Sequence, residues 1–269
     1  MAIHFSSCRI ILCISLVFLS IKGLNSRRIT NHREEDHHID PSVNVFFTIN
    51  DLKIGKQIPI YFPNKNKTNT PHLLTRQQTK SIPFSSKNLP YLLKLFSFPK
   101  NTPQAKAIEY TLNQCETDPK IEKETKLCVT SLESMLDYVR GAFGLDTEFR
   151  ALSTNYGKEV KELQKYRIVE VMEKRMRMKM MISCHVMPYP YVVYYCHSRS
   201  GSGSGNNRVF EVVLRGEEDG EKVEAVGICH MDTSKWDVNH VSFRLLNVKP
   251  GLSSVCHFLP ADNLVWVPY

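Results

Sequence analysis

The chain of 269 residues lacks an apolar run long enough to cross a bilayer. The longest apolar run, residues 10–21, is shorter than the roughly 20 residues that a spanning helix needs. It follows Arg9 and precedes small and polar residues from Gly23 to Ser26, a pattern typical of a cleaved secretory signal peptide. We therefore predict a signal peptide over residues 1–23 and no transmembrane segment. A signal anchor and a buried N-terminal helix are the alternatives.

Aromatic residues are missing from the segment that follows, since residues 24–42 contain neither tyrosine nor tryptophan. Their only bulky apolar residues are Leu24, Ile29 and Ile39, too few to offset the entropy of ordering the chain. We predict a flexible polar linker over residues 24–42. The rest, residues 43–269, is long enough to bury a core as one domain.

Basic residues outnumber acidic residues only slightly, by 35 to 27. The formal net charge is +8, and removal of Arg9 and Lys22 with the signal peptide lowers it by two. A basic secreted protein can associate with an anionic polysaccharide or a membrane surface, although the charge can equally serve solubility alone. No nucleic-acid-binding motif is present, so nucleic acid is not a predicted partner. Asn66 begins the one usable glycosylation sequon of the predicted mature chain.

Closely spaced cysteine pairs of the kind that form zinc knuckles are absent from the predicted mature chain. An even number of cysteines in an oxidising compartment favours disulfides instead. Cys115 and Cys128 are near in sequence, and a bond between them would tether two predicted helices, with a stabilisation of roughly 3 kcal/mol. The sequence does not decide how the other cysteines pair. The six predicted disulfide cysteines of the mature chain are Cys115, Cys128, Cys184, Cys196, Cys229 and Cys256.

Two hydrophobic periodicities divide the domain. Thr102-Pro103 begins one predicted helix, and a capping box at Thr130-Ser131-Leu132-Glu133 begins a second, which Gly144 ends. Period-two alternation predicts strands in the C-terminal half. Together they indicate an α+β fold, in which a helical segment precedes a predominantly antiparallel, disulfide-stabilised β half. The predicted strands are 43–47, 58–62, 191–196, 209–215, 223–230, 241–248 and 264–267.

Methionine and cationic residues alternate around 175–180, which places Met176, Met178 and Met180 on one face of a further predicted strand. A packed apolar face is the simpler interpretation. Thioether ligands for Cu(I) are the alternative.

Four Cys-His dipeptides are the most informative pattern: Cys184-His185, Cys196-His197, Cys229-His230 and Cys256-His257. Because neighbouring residues of a strand point to opposite faces, each dyad can place its cysteine inside and its histidine on another surface. Three interpretations follow: a mixed-ligand structural zinc site, disulfides with histidines that only pack, and disulfides with a histidine site for a transition metal such as copper.

The dyads and the sequence segments around them resemble the plant BURP-domain family over residues 43–269. Supporting segments include Phe46-Phe47, Thr130-Ser131-Leu132-Glu133, Tyr189-Pro190-Tyr191 and Asp232-Thr233-Ser234-Lys235-Trp236. The gap between the second and third dyads exceeds the family's usual length because of a Ser/Gly-rich insertion at 200–207.

This resemblance implies a secreted or endomembrane plant protein of the apoplast, cell wall or vacuole. Family members include seed proteins, dehydration-responsive proteins, a non-catalytic polygalacturonase subunit and copper-dependent peptide cyclases that cross-link Tyr or Trp side chains. The matching histidine His240 is a candidate for a second-shell, proton-transfer or packing role. The positions that match the family's copper-binding histidines are His185, His197, His230 and His257.

We therefore expect a secreted BURP-domain protein with a structural or regulatory role in the cell wall or endomembrane system, linked to stress or development. Cell-wall polysaccharides or proteins are the expected partners. A copper-dependent cyclase that acts on a separate peptide is the alternative. Self-cyclisation lacks a substrate, because the predicted linker contains no phenol or indole.

Overall fold

The computed structural model describes residues 45–62, 73–119, 124–157, 163–174, 180–199 and 207–269. These residues belong to one compact unit. The predicted signal peptide and linker, Asn66 and residues 175–179 of the methionine-rich strand lie outside them. Within the described ranges, no helix is long and apolar enough to cross a membrane.

Among the described residues, the larger of two sheets has seven strands, all paired antiparallel. They are β1 (Phe46–Phe47), β2 (Gln57–Tyr61), β5 (Asn155–Tyr156), β6 (Leu163–Lys174), β9 (Asn207–Gly216), β10 (Lys222–His230) and β11 (Val255–Phe258). The order across the sheet is β1-β11-β10-β9-β6-β2, and the short β5 pairs with β10.

In the part of the chain that the structure describes, the smaller sheet has five strands and is also antiparallel. They are β3 (Glu124–Val129), β4 (Phe149–Leu152), β7 (Ile182–Met187), β8 (Val193–Arg199) and β12 (Leu264–Pro268). The order is β3-β8-β7-β12-β4, so β3 and β4 are its edges.

Most of the helices precede the long strands, as predicted. Thr102 caps α3 by accepting a hydrogen bond from the backbone N–H of Ala105 at 3.2 Å. The capping box of α4 was predicted one residue too early, because Ser131 is the N-cap and Ser134 takes the third helical position. The described helices are α1 (Arg76–Lys80), α2 (Leu89–Leu95), α3 (Pro103–Glu116), α4 (Leu132–Phe143) and α5 (Val241–Leu246).

The predicted strand over 241–248 is wrong. The apolar residues there alternate, but the segment forms helix α5 between two end signals. His240 caps its N-terminus by accepting from the backbone N–H of Ser242, and Asn247 ends it in the left-handed conformation at φ 52°. Local capping therefore overrides the period-two pattern.

Four apolar clusters fill the spaces between these elements. One lies between the two sheets and joins Leu152 and Val265 of the smaller sheet to Val226 and Ile228 of the larger one. A second covers the other face of the larger sheet, and a third packs α4 against the smaller sheet. The fourth joins α2 and α3 to Tyr189 and Tyr191. This layered arrangement confirms the predicted α+β class.

Candidate functional site

The four cysteines of the dyads pair across two pairs of antiparallel strands, the β7–β8 hairpin and the β10–β11 pair, whose strands are connected through α5. Cys184 lies directly opposite Cys196 in the β7–β8 ladder, and Cys229 lies directly opposite Cys256 in the β10–β11 ladder. Both pairs are disulfides, with Cα–Cα distances of 4.0 and 3.9 Å. The predicted disulfide use of the dyad cysteines is confirmed, and the register of each strand pair decides the pairing that the sequence left open.

The predicted bond between Cys115 and Cys128 is also present. Cys128 lies on strand β3, however, and not at the start of a helix. The bond therefore ties the C-terminal turn of α3 to the edge strand of the smaller sheet, which corrects the expectation that it would join two helices.

Each dyad separates its two side chains, as the period of a strand requires. All four dyad cysteines have no exposed surface, and they belong to the clusters on the outer faces of the two sheets. The histidines therefore lie on the opposite faces, towards the space between the sheets. Because the cysteines are directly opposite, the two histidines of each strand pair are diagonal neighbours, a separation that imidazole rings can bridge.

The first histidine pair joins His185 of β7 to His197 of β8. Their Nε2 atoms are 3.2 Å apart, and the rings stack with centroids 5.3 Å apart. Nδ1 of His197 lies 2.6 Å from Oε1 of Glu124 on β3, while Nδ1 of His185 lies 3.0 Å from the amide nitrogen of Asn263. Each ring is therefore held from behind by a residue of another segment.

The second pair joins His230 of β10 to His257 of β11. Their Nε2 atoms are 3.4 Å apart and the ring centroids are 5.5 Å apart. Nδ1 of His230 lies 3.0 Å from Oδ1 of Asn207 at the start of β9. The two strand pairs therefore repeat one arrangement, with a disulfide on one face and two facing imidazoles on the other.

Burial favours the neutral form of three of these imidazoles, His185, His230 and His257. It lowers the pKa of His185 to about 3, with further lowering by His197 and His257. Burial is also the main cause that lowers the pKa of His257 to about 4 and the pKa of His230 well below its ordinary value. Histidines of each pair also lower the pKa of a histidine of the other pair. A neutral imidazole is the form that binds a metal.

Trp236 and His240 lie beside the second pair. The indole is 5.0 Å from His230 and 4.9 Å from His240, measured between ring centroids. Nδ1 of His240 is used within α5, where it lies 2.7 Å from the Ser242 hydroxyl. Among the roles considered for His240, helix capping and aromatic packing are the ones that the contacts show.

The donor atoms of each pair fit a transition metal in separation and type. Two ligand atoms of a tetrahedral ion with bonds near 2.0–2.1 Å are roughly 3.3 Å apart, which is close to both Nε2–Nε2 distances. Imidazole nitrogen suits copper and zinc. Within the described ranges, no three His, Cys, Asp or Glu side chains are gathered closely enough to hold one ion. The histidines thus form two two-ligand pairs.

Comparison with known proteins agrees with the dyads. The sequence profile of the BURP domain matches residues 45–268. This chain belongs to the BURP-domain family. It is 41% identical to the BURP domain protein USPL1 of Arabidopsis thaliana, covering 93% of this chain and 89% of the relative. It is 40% identical to the BURP domain-containing protein BNM2A of Brassica napus, covering 94% and 95%. It is 35% identical to the BURP domain protein RD22 of Arabidopsis thaliana, covering 88% and 59%.

Sequence reasoning missed the residues that hold the histidines of this BURP domain. Glu124 is 73 residues from His197, and only the pairing of β3 with β8 brings them together. Asn263 and Asn207 are equally unmarked in the sequence. All three residues are polar and lie in or next to a strand that pairs with a dyad strand. This feature could have identified them, but it requires the strand order, which the sequence does not show.

Proposed function

We propose that this chain is a secreted plant protein that binds copper through its two histidine pairs and has a structural or regulatory role in the cell wall or endomembrane system. The observation that carries the proposal is the division of every dyad into a buried disulfide and a facing imidazole. The disulfides suit an oxidising compartment, and the paired imidazoles suit a divalent or monovalent copper ion.

Copper binding has a direct test. Copper supplies one-electron redox chemistry when it is bound by imidazole. The purified chain should retain copper after dialysis, and its Cu(II) electron paramagnetic resonance spectrum should show nitrogen ligands. His230→Ala and His185→Ala should each remove part of the bound copper. His240→Ala is the matched control and should retain it, because Nδ1 of His240 already contacts Ser242. A chain that holds no copper contradicts the proposal.

Association with the cell wall has a separate test. The formal net charge of +8, which loss of the predicted signal peptide lowers by two, favours binding to polyanionic polysaccharide, and binding of this kind weakens as salt screens the charges. The secreted chain should be retained on immobilised de-esterified polygalacturonate and should elute when sodium chloride is added. Retention on a neutral glucan column serves as the control. Passage through both columns at low salt would remove the polysaccharide as a partner.

A peptide cyclase that acts on a separate peptide is the second candidate. The observation that favours it is the position of Trp236 and His240 beside the second pair, which gives that pair an aromatic wall. Each cross-link would remove two hydrogen atoms from the peptide, and dioxygen would take up the electrons and protons. A copper-dependent loss of two hydrogens from Tyr- or Trp-containing peptides, abolished by His230→Ala, would establish this activity. No mass change at full copper loading would exclude it.

A further inference from the structure

Strand β4 is an edge of the smaller sheet, and its outer side is unpaired among the described residues. On its inner side the backbone N–H of Tyr269 donates to the carbonyl of Glu148 at 3.1 Å, one position before the register pair of Phe149 with Pro268. Bonded and non-bonded pairs alternate along an antiparallel ladder, so Phe149 and Ala151 take non-bonded positions opposite β12. Their backbone N–H and C=O groups therefore point to the free edge.

A groove of about 450 Å³ lies beside this free edge. One wall is the end of β4 and the residue after it, 151–153, and the other is formed by 211–213 of β9 and 224–226 of β10. The volume lies in the range of roughly 300–1,000 Å³ that ligand-binding clefts have. The charged residues of its described lining are Glu211 and Glu224, which are both acidic. The groove thus places unpaired backbone groups opposite a wall that carries carboxylates.

The two carboxylates have lysine partners but stay exposed. Glu211 pairs with Lys174, and Oε1 of Glu224 lies 2.6 Å from Nζ of Lys222. The glutamate side chains keep 41% and 55% of their surface exposed. Because exposed ion pairs contribute little to stability, replacing a lysine partner by the cation of a ligand costs little.

The larger sheet continues beyond β4. Glu211 and Val213 lie on the face of β9 that Val209 turns towards the smaller sheet, since residues two apart in a strand share a face. Met172 of β6 lies directly opposite Glu211 and shares that face, where it is 48% exposed. A further strand added to β4 would cover this surface. A second copy that paired its β4 with this one would bring its own β9 and β6 into the same space, so a single extended segment fits better.

We infer that the free edge of β4 and the groove beside it bind an extended segment of a partner protein, which adds to the smaller sheet as a further strand. Hydrogen bonds to the main chain of Phe149 and Ala151 supply affinity, and alternate side chains of the segment supply selectivity. The side chains turned towards the larger sheet meet Val213, Met172 and the two carboxylates, so apolar residues around a lysine or arginine complement them. The inference is independent of the proposed metal binding.

The probe is the capped peptide Val-Thr-Lys-Thr-Val, whose valines and lysine share one face in an extended strand. Added to the nitrogen-15-labelled full chain, it should shift the amide signals of 149–153, 211–213 and 224–226 and slow hydrogen exchange at Phe149 and Ala151. The peptide Val-Thr-Glu-Thr-Val should bind at least roughly tenfold more weakly, because it places like charges together. Equal binding of the two peptides, no binding of the lysine peptide, or unchanged exchange at both amides would overturn the inference.

The variant Ala151→Pro tests the edge itself. It removes an N–H that points away from β12 and leaves the β12 ladder intact, which is the position at which a strand tolerates proline. Binding of the lysine peptide should weaken at least roughly fivefold, the scale of one net hydrogen bond. Circular dichroism checks that the variant folds. Should it not fold, a lysine peptide methylated on its backbone nitrogens makes the same test on the unchanged chain and should not bind.

The variant Glu224→Gln tests the acidic wall. It should weaken binding of the lysine peptide and reduce the dependence of binding on sodium chloride, because salt screens the charge that it removes. Glu109→Gln, at an exposed position of α3, is the matched control and should change neither quantity. The same effect in both variants would reject the acidic wall as the source of selectivity. Dimerisation of the chain that Ala151→Pro abolishes would identify a second copy as the occupant and overturn the inference.

Discussion

Ser131 begins helix α4 by accepting a hydrogen bond from the backbone N–H of Ser134 at 3.2 Å. Thr130 precedes it and is outside the cap. The capping box predicted Thr130 as the N-cap, and the hydroxyl groups of threonine and serine have equivalent capping chemistry. The choice depends on where the preceding strand β3 ends, at Val129, which propensity alone does not determine.

Removing the correct cap should destabilise the fold. Ser131→Ala should lower the free energy of unfolding by about 1 kcal/mol, because a helix N–H loses its acceptor. Thr130→Ala is the matched control and should change it by much less. Urea unfolding followed by circular dichroism measures both. Equal losses for the two variants would show that Ser131 is not the cap.

The buried histidines make stability depend on pH. Their folded pKa values lie below the ordinary 6.5, so the unfolded chain binds more protons as the pH falls. The stability of the metal-free protein should therefore be complete above pH 6.5 and should decrease as the pH falls towards 4 and then 3. His257 alone accounts for at most roughly 3 kcal/mol.

Urea titrations in a chelator at several pH values measure this dependence. His257→Asn is the control, since asparagine does not titrate, and the slope of stability against pH should become smaller. An unchanged slope would mean that carboxylates alone produce the acid sensitivity.

Some features of the strands can be predicted from the sequence, and others depend on how the strands pair. The dyad pattern predicts disulfides and histidines on opposite faces because the alternation of a strand is a local property. The pairing of Cys184 with Cys196 depends on the hairpin register, and the contact of Glu124 with His197 depends on the strand order. The alternating apolar residues of 241–248 predict a strand, but the end signals at His240 and Asn247 make the segment a helix, and such local capping competes with a short period-two pattern.

The three disulfides should differ in their response to reductant. Cys115 and Cys128 are partly exposed, whereas the four dyad cysteines have no exposed surface. Mild reduction of the native protein followed by alkylation should therefore label Cys115 and Cys128 first. The other four should become labelled only in denaturant, which provides the control. Mass spectrometry of the peptides gives the order, and early labelling of a dyad cysteine would contradict it.

At the scale of the whole molecule, the position of the histidine pairs depends on the core between the two sheets. Leu259 has no exposed surface in that core, and its backbone N–H donates to the carbonyl of Val226 at 2.9 Å. The sequence predicted an α+β class and six of the twelve described strands, namely β1, β2, β8, β9, β10 and β12. It could not predict that consecutive strands divide between two sheets, because sheet membership is decided by packing between distant segments.

A cavity in this core should weaken the fold strongly. Leu259→Ala should cost roughly 2–5 kcal/mol, the usual range for a large buried side chain. Leu252→Ala removes the same atoms from a residue that is 81% exposed and should have little effect. Thermal unfolding of the two variants compares them directly. A similar loss for both would place Leu259 outside the structural core.

Each cysteine of the domain pairs with the next one along the chain: Cys115 with Cys128, Cys184 with Cys196, and Cys229 with Cys256. A chain that enters an oxidising compartment from its N-terminus can therefore close each bond as soon as the second sulfur emerges. No unpaired cysteine lies between the two cysteines of any of these three disulfides. Oxidative maturation can thus follow the order of synthesis, without reshuffling of mispaired sulfurs.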